Sequence, residues 1–345
     1  MNSSTSNSSD GASASSDGRL RYLAAVPRDK RGRALFVLLA MLLVIGSGQL
    51  VLRALFYERN YQRLAVDALS PETKVLVLGS SRVFYGVNPT LFPQKLMSLA
   101  GNYLDCRTAR DVWQLHAASV PNVRLVVAEL DLVNLALDAR VLAPEALYPL
   151  GITLWPTPAE ALASPDKLLR RLLLPTFRWR LTPAYLAKHR RIIHSPHEPQ
   201  TAVAGHVPSD IVVGTPAFFA ERKVRQGKDL QAKFGEATRV ANEAALVDLA
   251  RDVARRGARL AFVRFPLAPD LRTVYPEAWH GDVARAHAAL VAHLEAEGLA
   301  RPELWDLSND ERFTTPDFRD PDHLNSRGAA ALADVLSPLL DGALR

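Results

Sequence analysis

The sequence predicts an α/β protein built on a parallel sheet and preceded by one transmembrane helix. Short apolar runs of strand length alternate with amphipathic segments of helical period, a pattern typical of parallel α/β folds. The clearest strands are Val75 to Leu78, Val123 to Leu130 and Arg259 to Phe265. Before the last of them, apolar residues recur at helical spacing from Arg239 to Arg256, and Gly257 follows as a helix stop.

The elements after these strands continue the alternation. A helix is predicted at about Val283 to Glu297, a short strand at about Leu304 to Leu307, and a final helix from Ala329 to Leu340. The chain of 345 residues is 48% hydrophobic, which is ample for a core. We therefore expect one α/β domain over residues 60–345, interrupted by the segment described below.

The N-terminal region predicts a cytoplasmic tail and a membrane anchor. Residues 1–33 begin with a run of Ser, Asn, Gly, Ala and Asp and end in a basic cluster, which indicates a disordered basic tail. Residues 34–52 carry no charge and would span about 28 Å as a helix, the thickness of a bilayer core. The basic flank places the N-terminus in the cytoplasm and the domain outside it, in the periplasm or an equivalent compartment.

A cleaved signal peptide is the alternative for this region, because Gly46, Ser47 and Gly48 are small enough to suit a signal peptidase. The long basic segment and the long apolar run favour an uncleaved signal anchor in the cell membrane. In either case the domain has no access to cytoplasmic ATP, acetyl-CoA or NAD. No cofactor is expected, and the nine histidines show no metal-ligand spacing with Cys106, so no metal site is expected either.

Residues 140–235 are rich in proline, which prevents long regular elements, and they read as an insertion in the α/β core. Within them, residues 166–191 are strongly basic with interleaved aromatic residues. The alternatives for this segment are a solvated face, a site for single-stranded nucleic acid, or a site for anionic lipid, a membrane partner or an acidic polymer. Outside the cytoplasm, nucleic acid is not an expected partner.

The candidate chemistry lies at the two ends of the domain. The strand at Val75 stops at Gly79-Ser80-Ser81, where either serine would lie in the ligand-binding crevice at the carboxyl ends of the strands; capping of the next helix is the simpler interpretation. Before the final helix, Asp320 and His323 are spaced so that a carboxylate can orient an imidazole, which could then take a serine proton.

These two stretches resemble the SGNH (GDSL-like) hydrolase superfamily. VLVLGSSRVFYGVNP is similar to its first block and DPDHLNSRGA to its last, and the resemblance covers roughly residues 72–340. It implies a three-layer α/β/α, flavodoxin-like fold, with Ser81 as nucleophile, His323 as general base and Asp320 as the residue that orients His323. Gly-Ser-Ser behind one membrane helix resembles the branch that includes the D-alanine transfer protein of teichoic acid, and alginate-type O-acetyltransferases are similar in plan.

The middle of the chain departs from that pattern. The superfamily takes oxyanion donors from a glycine after the second strand and from an asparagine in a Gly-x-Asn-Asp block after the third. Here the resemblance leaves Gly101 or Asn102 for the first and, within Glu129-Leu-Asp-Leu-Val-Asn134, Asn134 for the second. Since loss of one such donor costs about 3 kcal/mol of transition-state stabilisation, the departure favours a specialised acyltransferase over a fast general esterase.

Three functions follow, of which the first is preferred. An extracytoplasmic serine O-acyltransferase would carry an acyl group, with acetyl expected, on Ser81 and pass it to a polysaccharide or other hydroxyl acceptor. In similar systems a multi-pass membrane acyltransferase supplies that group. An SGNH esterase acting on glycan or lipid esters is the second, and a non-catalytic assembly protein of an envelope polymer pathway is the third.

Overall fold

The computed structural model describes residues 65–101, 104–142 and 217–345, together with residues 32, 34–41, 43 and 47. The chain divides into two units, Met1–Phe56 and Tyr57–Arg345, and the second holds the α/β fold. The proline-rich segment from 143 to 216, with the basic stretch 166–191, lies outside the described residues.

A five-stranded parallel sheet forms the centre of the fold, in the order β2-β1-β3-β4-β5. This confirms the predicted α/β class. The chain first builds outward from β1 to β2 and then crosses to the other side of β1, so the strand order reverses between β1 and β3. Ligands of such sheets bind at this switch point. The strands are β1 Val75–Gly79, β2 Leu96–Ala100, β3 Leu125–Glu129, β4 Arg259–Arg264 and β5 Glu303–Asp306.

Eight α-helices with defined bounds and a short hairpin accompany the sheet within the described part of Tyr57–Arg345, where residues 65–67 are also helical. The hairpin pairs β6 (Phe318–Asp320) with β7 (His323–Leu324) in antiparallel fashion. The helices are α1 Ser81–Gly86, α2 Cys106–His116, α3 Leu132–Ala136, α4 Ala139–Leu142, α5 Ala217–Arg255, α6 Pro269–Val274, α7 Glu277–Ala296 and α8 Ser326–Leu344.

The two faces of the sheet are covered by different helices because side chains along a strand alternate between faces. On β1, Leu76 and Leu78 belong to a core that includes residues of α2, α5 and α7, whereas Val75 and Val77 belong to a core with α1 and α8. Every residue of β1 and β3 is buried. The described elements therefore form helix, sheet and helix layers, with the ends of β1 and β3 in the middle.

Three helices, α5, α7 and α8, begin before their predicted starts. Helix α7 begins at Glu277 rather than at about Val283. Helix α5 begins at Ala217 rather than Arg239, so the expectation of irregular structure up to residue 235 is wrong for its last part; the final proline of that region is Pro216. Gly235 breaks the helix, with φ of 65°. Helix α8 begins before Ala329 because the Asn325 side chain caps it, accepting from the Gly328 N–H at 3.0 Å.

The predicted membrane helix at 34–52 is described only in part. Residues 34–41, 43 and 47 are helical, and apolar side chains among them are exposed, for example Leu35 at 57% and Leu43 at 73%. No helix among the described residues combines the length and apolar content needed to cross a membrane.

Gly79 at the end of β1 is required by close packing. A Cβ at this position would lie 2.3 Å from Val83 Cγ2 and 2.7 Å from both Cβ and Oε2 of Glu129. We expect Gly79→Ala to lower the free energy of unfolding by about 1–3 kcal/mol, because it overpacks the core. Urea unfolding followed by circular dichroism measures the change.

Gly342→Ala is the matched control for Gly79→Ala. No atom lies within 4 Å of its added Cβ, and alanine favours the helix by about 0.5–1 kcal/mol over glycine. Equal stability of the two variants would contradict the packing argument.

Candidate active site

Ser81 is the first residue of α1 and lies two residues beyond Gly79, the end of β1. Ser80, one residue earlier, is the N-cap of this helix, and its Oγ accepts from the Arg82 N–H at 3.4 Å. Both interpretations of Gly79-Ser80-Ser81 from the sequence thus apply: Ser80 caps the helix, and Ser81 lies at the crevice. Because a first helical residue has no intrahelical acceptor for its N–H, the N–H of Ser81 is available by position to a group bound at its own side chain.

The hairpin of β6 and β7 places Asp320 opposite His323, since the two are paired across it. His323 Nδ1 lies 2.7 Å from Asp320 Oδ1 and 2.9 Å from Oδ2. The backbone N–H groups of Asp322 and His323 also donate to Asp320 Oδ1, at 3.2 and 3.1 Å. The turn therefore fixes the carboxylate, which in turn orients the ring.

His323 Nε2 lies 2.7 Å from Ser81 Oγ, across 242 residues of sequence. The ring of Tyr85 packs edge-on against the His323 ring at 5.3 Å, and the Arg319 guanidinium lies over Tyr85 at 4.3 Å. The structure thus brings the three residues proposed from the resemblance into one continuous Ser–His–Asp arrangement. In this geometry the imidazole can accept the serine proton while the carboxylate stabilises the resulting charge.

No protein-family model matches this chain, and no curated protein matches it. Among solved structures, it is similar to a Bacteroides fragilis protein provisionally described as an acylhydrolase. The match covers 81% of this chain and 94% of the other, with 10% sequence identity and a TM-score of 0.39. The assignment of the site therefore rests on the geometry of this chain.

Two carboxylates at the end of β3 hold the turn that carries the serines. Glu129 Oε2 accepts from the Ser80 N–H at 2.6 Å, and Oε1 accepts from Ser80 Oγ at 3.1 Å. Asp131 Oδ2 lies 2.8 Å from Arg82 Nη1, with both side chains buried. The sequence alone assigns no role to either carboxylate, because nothing in the Glu129–Asn134 stretch indicates its partners.

A third carboxylate, Asp322, links the hairpin to two cations. Its Oδ1 lies 2.7 Å from Lys223 Nζ on α5 and 3.3 Å from His323 Nδ1, and its Oδ2 lies 3.5 Å from Arg82 Nη2. Arg82 therefore joins the serine turn, the end of β3 and the hairpin. Lys223 and Arg82 were both missed from sequence; only the position of Arg82 next to the serines was a signal.

The buried charges shift one another. Burial favours the neutral form of Asp322, but Lys223, His323 and Arg82 outweigh it and hold its pKa far below the ordinary value. Burial likewise opposes ionisation of Asp131, yet Arg82 and Arg264 lower its pKa. Burial raises the pKa of Glu129, and Arg82 and the Ser80 hydrogen bonds offset only part of that effect.

Asp320, Asp322 and His323 together offer three ligand atoms within 4.8 Å of one another. Such a cluster could hold a cation. However, both ring nitrogens of His323 already face Asp320 and Ser81, and Asp322 is paired with Lys223 and Arg82. The donors are thus directed at one another, which fits acid–base chemistry better than metal binding.

The oxyanion expectations receive no support from the described residues. The Gly101 N–H donates to the Gly79 carbonyl at 3.1 Å, so it extends the sheet. Asn134 Nδ2 donates to the Leu104 carbonyl at 2.8 Å, and Asn134 is buried. Asn102 lies outside the described residues. The role of these three residues stays a prediction, and the Ser81 N–H is the donor whose position suits an oxyanion at Ser81.

Acid should destabilise the fold through Asp322. Because its pKa is lower in the folded protein than the unfolded value of about 3.9, the unfolded state binds more protons below about pH 4, and stability falls there as pH falls. Glu129 has a raised pKa and contributes with the opposite sign, because the stability of the fold that depends on its protonated form is lost as pH rises. Urea unfolding at pH 3, 4, 5 and 7 should show that the free energy of unfolding falls less steeply toward low pH in Asp322→Asn than in the parent chain. Parallel curves for the two would contradict this account.

Proposed function

We propose that this chain is a membrane-anchored, extracytoplasmic serine O-acyltransferase that carries an acyl group on Ser81. The observation that carries the proposal is the continuous hydrogen-bonded path from Ser81 Oγ through His323 to Asp320, with 2.7 Å at each step. This arrangement activates a hydroxyl for attack on an ester or thioester carbonyl. It equips the chain for acyl transfer chemistry.

The proposed cycle has two halves. Ser81 Oγ attacks the acyl carbonyl carbon and forms a bond to it, its proton passes to His323 Nε2, and His323 returns that proton to the leaving oxygen or sulfur as its bond to carbon breaks. In the second half, an acceptor hydroxyl loses its proton to His323 and attacks the acyl-serine carbon. The Ser81–acyl bond then breaks, and His323 reprotonates Ser81.

The acceptor separates transfer from hydrolysis. A sugar or polymer hydroxyl as acceptor gives an O-acyltransferase, and water gives an esterase on glycan or lipid esters, which is the alternative. We favour transfer because residues 34–52 are uncharged and apolar and the SGNH-like branch behind a single anchor acts on envelope polymers. The exposed apolar side chains at 35–39, 41 and 43 are consistent with insertion into a membrane.

The proposed location and partners follow from that anchor. The N-terminus would lie in the cytoplasm and the catalytic domain in the periplasm or an equivalent space. The acyl donor would come from a multi-pass membrane acyltransferase, and the acceptor would be a cell-surface or exported polysaccharide. A reporter fused at residue 345 that reads as cytoplasmic would refute this topology.

Ester turnover by the purified full-length chain tests the function. With a p-nitrophenyl ester, we expect a burst of p-nitrophenol equal to the enzyme, followed by a slow steady state that speeds up when glycerol is added and yields acylglycerol. Free acid as the only product, with no response to glycerol, would establish the esterase alternative. If the chain showed no burst and no turnover, the catalytic proposal would be overturned and a non-catalytic assembly role would remain.

A further inference from the structure

A cavity opens beside Ser81 at the carboxyl ends of the strands. Its volume is about 70 Å³, several times the roughly 10–15 Å³ that one water molecule needs. Ser81 lines it, whereas His323 is not among the described residues that do. The cavity wall therefore includes the nucleophile but not the base.

Each charged group at this cavity has a partner. Glu129 accepts from Ser80, Arg82 is paired with Asp131 and Asp322, and Lys223 is paired with Asp322. These groups form the wall near Ser81. The remaining wall is mostly apolar, although Gln226 and Tyr275, which carries a hydroxyl, also belong to it. Its apolar side chains come from α3 and the residue after it, and from α5, α6 and α7: Val133, Leu137, Val224, Leu230, Leu271 and Trp279.

Trp279 forms one side of this apolar wall through a close helix contact. Its side chain is buried, and its ring lies so near α5 that a Cβ on Gly227 would be 2.3 Å from it. The edge of Tyr275 packs on the same ring at 5.1 Å. A large rigid aromatic surface is thus fixed within the cavity that Ser81 lines.

We propose that this cavity binds the acyl chain of the substrate and that the preferred chain is longer than acetyl. The inference rests on the proposed function of Ser81. His323 Nε2 must deliver its proton to the leaving group, so the leaving group lies on the His323 side of Ser81. The acyl portion then points to the other side of the serine, into the cavity.

Chain length follows from the apolar wall. An acetyl group offers a single methyl to six apolar side chains, whereas a longer chain reaches further along them. Each added methylene that leaves water favours binding about fourfold. The acetyl group expected from the sequence would leave most of this surface unused, and we expect a hexanoyl ester to exceed the acetyl ester at least tenfold in kcat/KM.

The test compares p-nitrophenyl acetate, butyrate, hexanoate and octanoate with the full-length chain and two variants of α5. Val224 is half-buried on the cavity wall, and Val224→Trp fills the space. We expect this variant to lose at least tenfold in kcat/KM with hexanoate and less than threefold with acetate. Val240→Trp, at a 52% exposed position of the same helix, is the matched control and should change neither value.

Val224→Thr keeps the shape of the side chain and replaces a methyl by a hydroxyl, so it gives the result if the tryptophan variant does not fold. It should weaken the preference for hexanoate over acetate by about threefold or more. Preference for acetate in the parent chain, or equal losses for both esters in the Val224 variants, would overturn the inference. Those outcomes leave the proposed function intact, whereas turnover that survives Ser81→Ala would refute the function itself.

Discussion

Ser81→Ala should reduce ester turnover by at least about 10⁴-fold, because removal of a nucleophile that works with a histidine base eliminates the acyl-enzyme route. Ser80→Ala should reduce it by less than about tenfold. Ser80 contributes a helix cap and a bond to Glu129, and loss of such a cap costs about 1 kcal/mol of stability. Steady-state kcat/KM with a p-nitrophenyl ester measures both changes.

Ser119→Ala is the matched control for the two serine variants, since Ser119 is exposed at the end of the short 3₁₀ turn after α2. It should retain full activity. If Ser80→Ala removed activity and Ser81→Ala did not, Ser80 rather than Ser81 would be the nucleophile. Equal partial losses would mean that neither serine attacks and that the Ser81–His323 bond is structural.

Arg82→Ala should destabilise the protein more than any surface substitution. Arg82 is 5% exposed and is the buried cation next to Asp131 and Asp322. Removing it leaves two buried carboxylates without that partner, for which we expect a loss of about 3–5 kcal/mol. Because Arg82 also joins the serine turn to the hairpin, activity should fall along with stability.

Arg312→Ala is the control for this measurement. Arg312 pairs with Asp310, but its side chain is 64% exposed, so its removal should change the unfolding free energy by less than about 0.5 kcal/mol. Arg82→Lys keeps the charge and should be intermediate, which gives a second measurement if the alanine variant does not fold. A loss below about 1 kcal/mol for Arg82→Ala would contradict the role assigned to the buried network.

The strands that sequence predicts well are built on runs of buried apolar residues. Strands β1 and β3 are buried along their whole length, and β4 is buried over its last four residues. The central residues of all three are apolar, and such apolar runs indicate the interior of a parallel sheet. Strand β2 was not predicted, because Leu-Met-Ser-Leu-Ala consists largely of residues with good helix propensity; its pairing with β1 decides its structure.

The same contrast holds at the site. Ser81, Asp320 and His323 were proposed from two local motifs, and the structure brings them together. Lys223 could not be found this way, because it lies in a helix that follows the proline-rich segment and reaches Asp322 only through the fold. In the Glu129–Asn134 stretch, a motif cannot show that Glu129 and Asp131 turn toward the serines while the Asn134 side chain donates to the Leu104 carbonyl.

The identity of the acylated atom is the most direct test of this account. Trypsin should release residues 75–82, VLVLGSSR, after Lys74 and Arg82, and both serines lie in this peptide. After acid quenching of the full-length chain during turnover of an ester, fragmentation should place the acyl mass on the Ser81-Arg82 fragment. Acyl mass that appears only when Ser80 is included, or on no serine of this peptide, would contradict the proposal that Ser81 carries the acyl group.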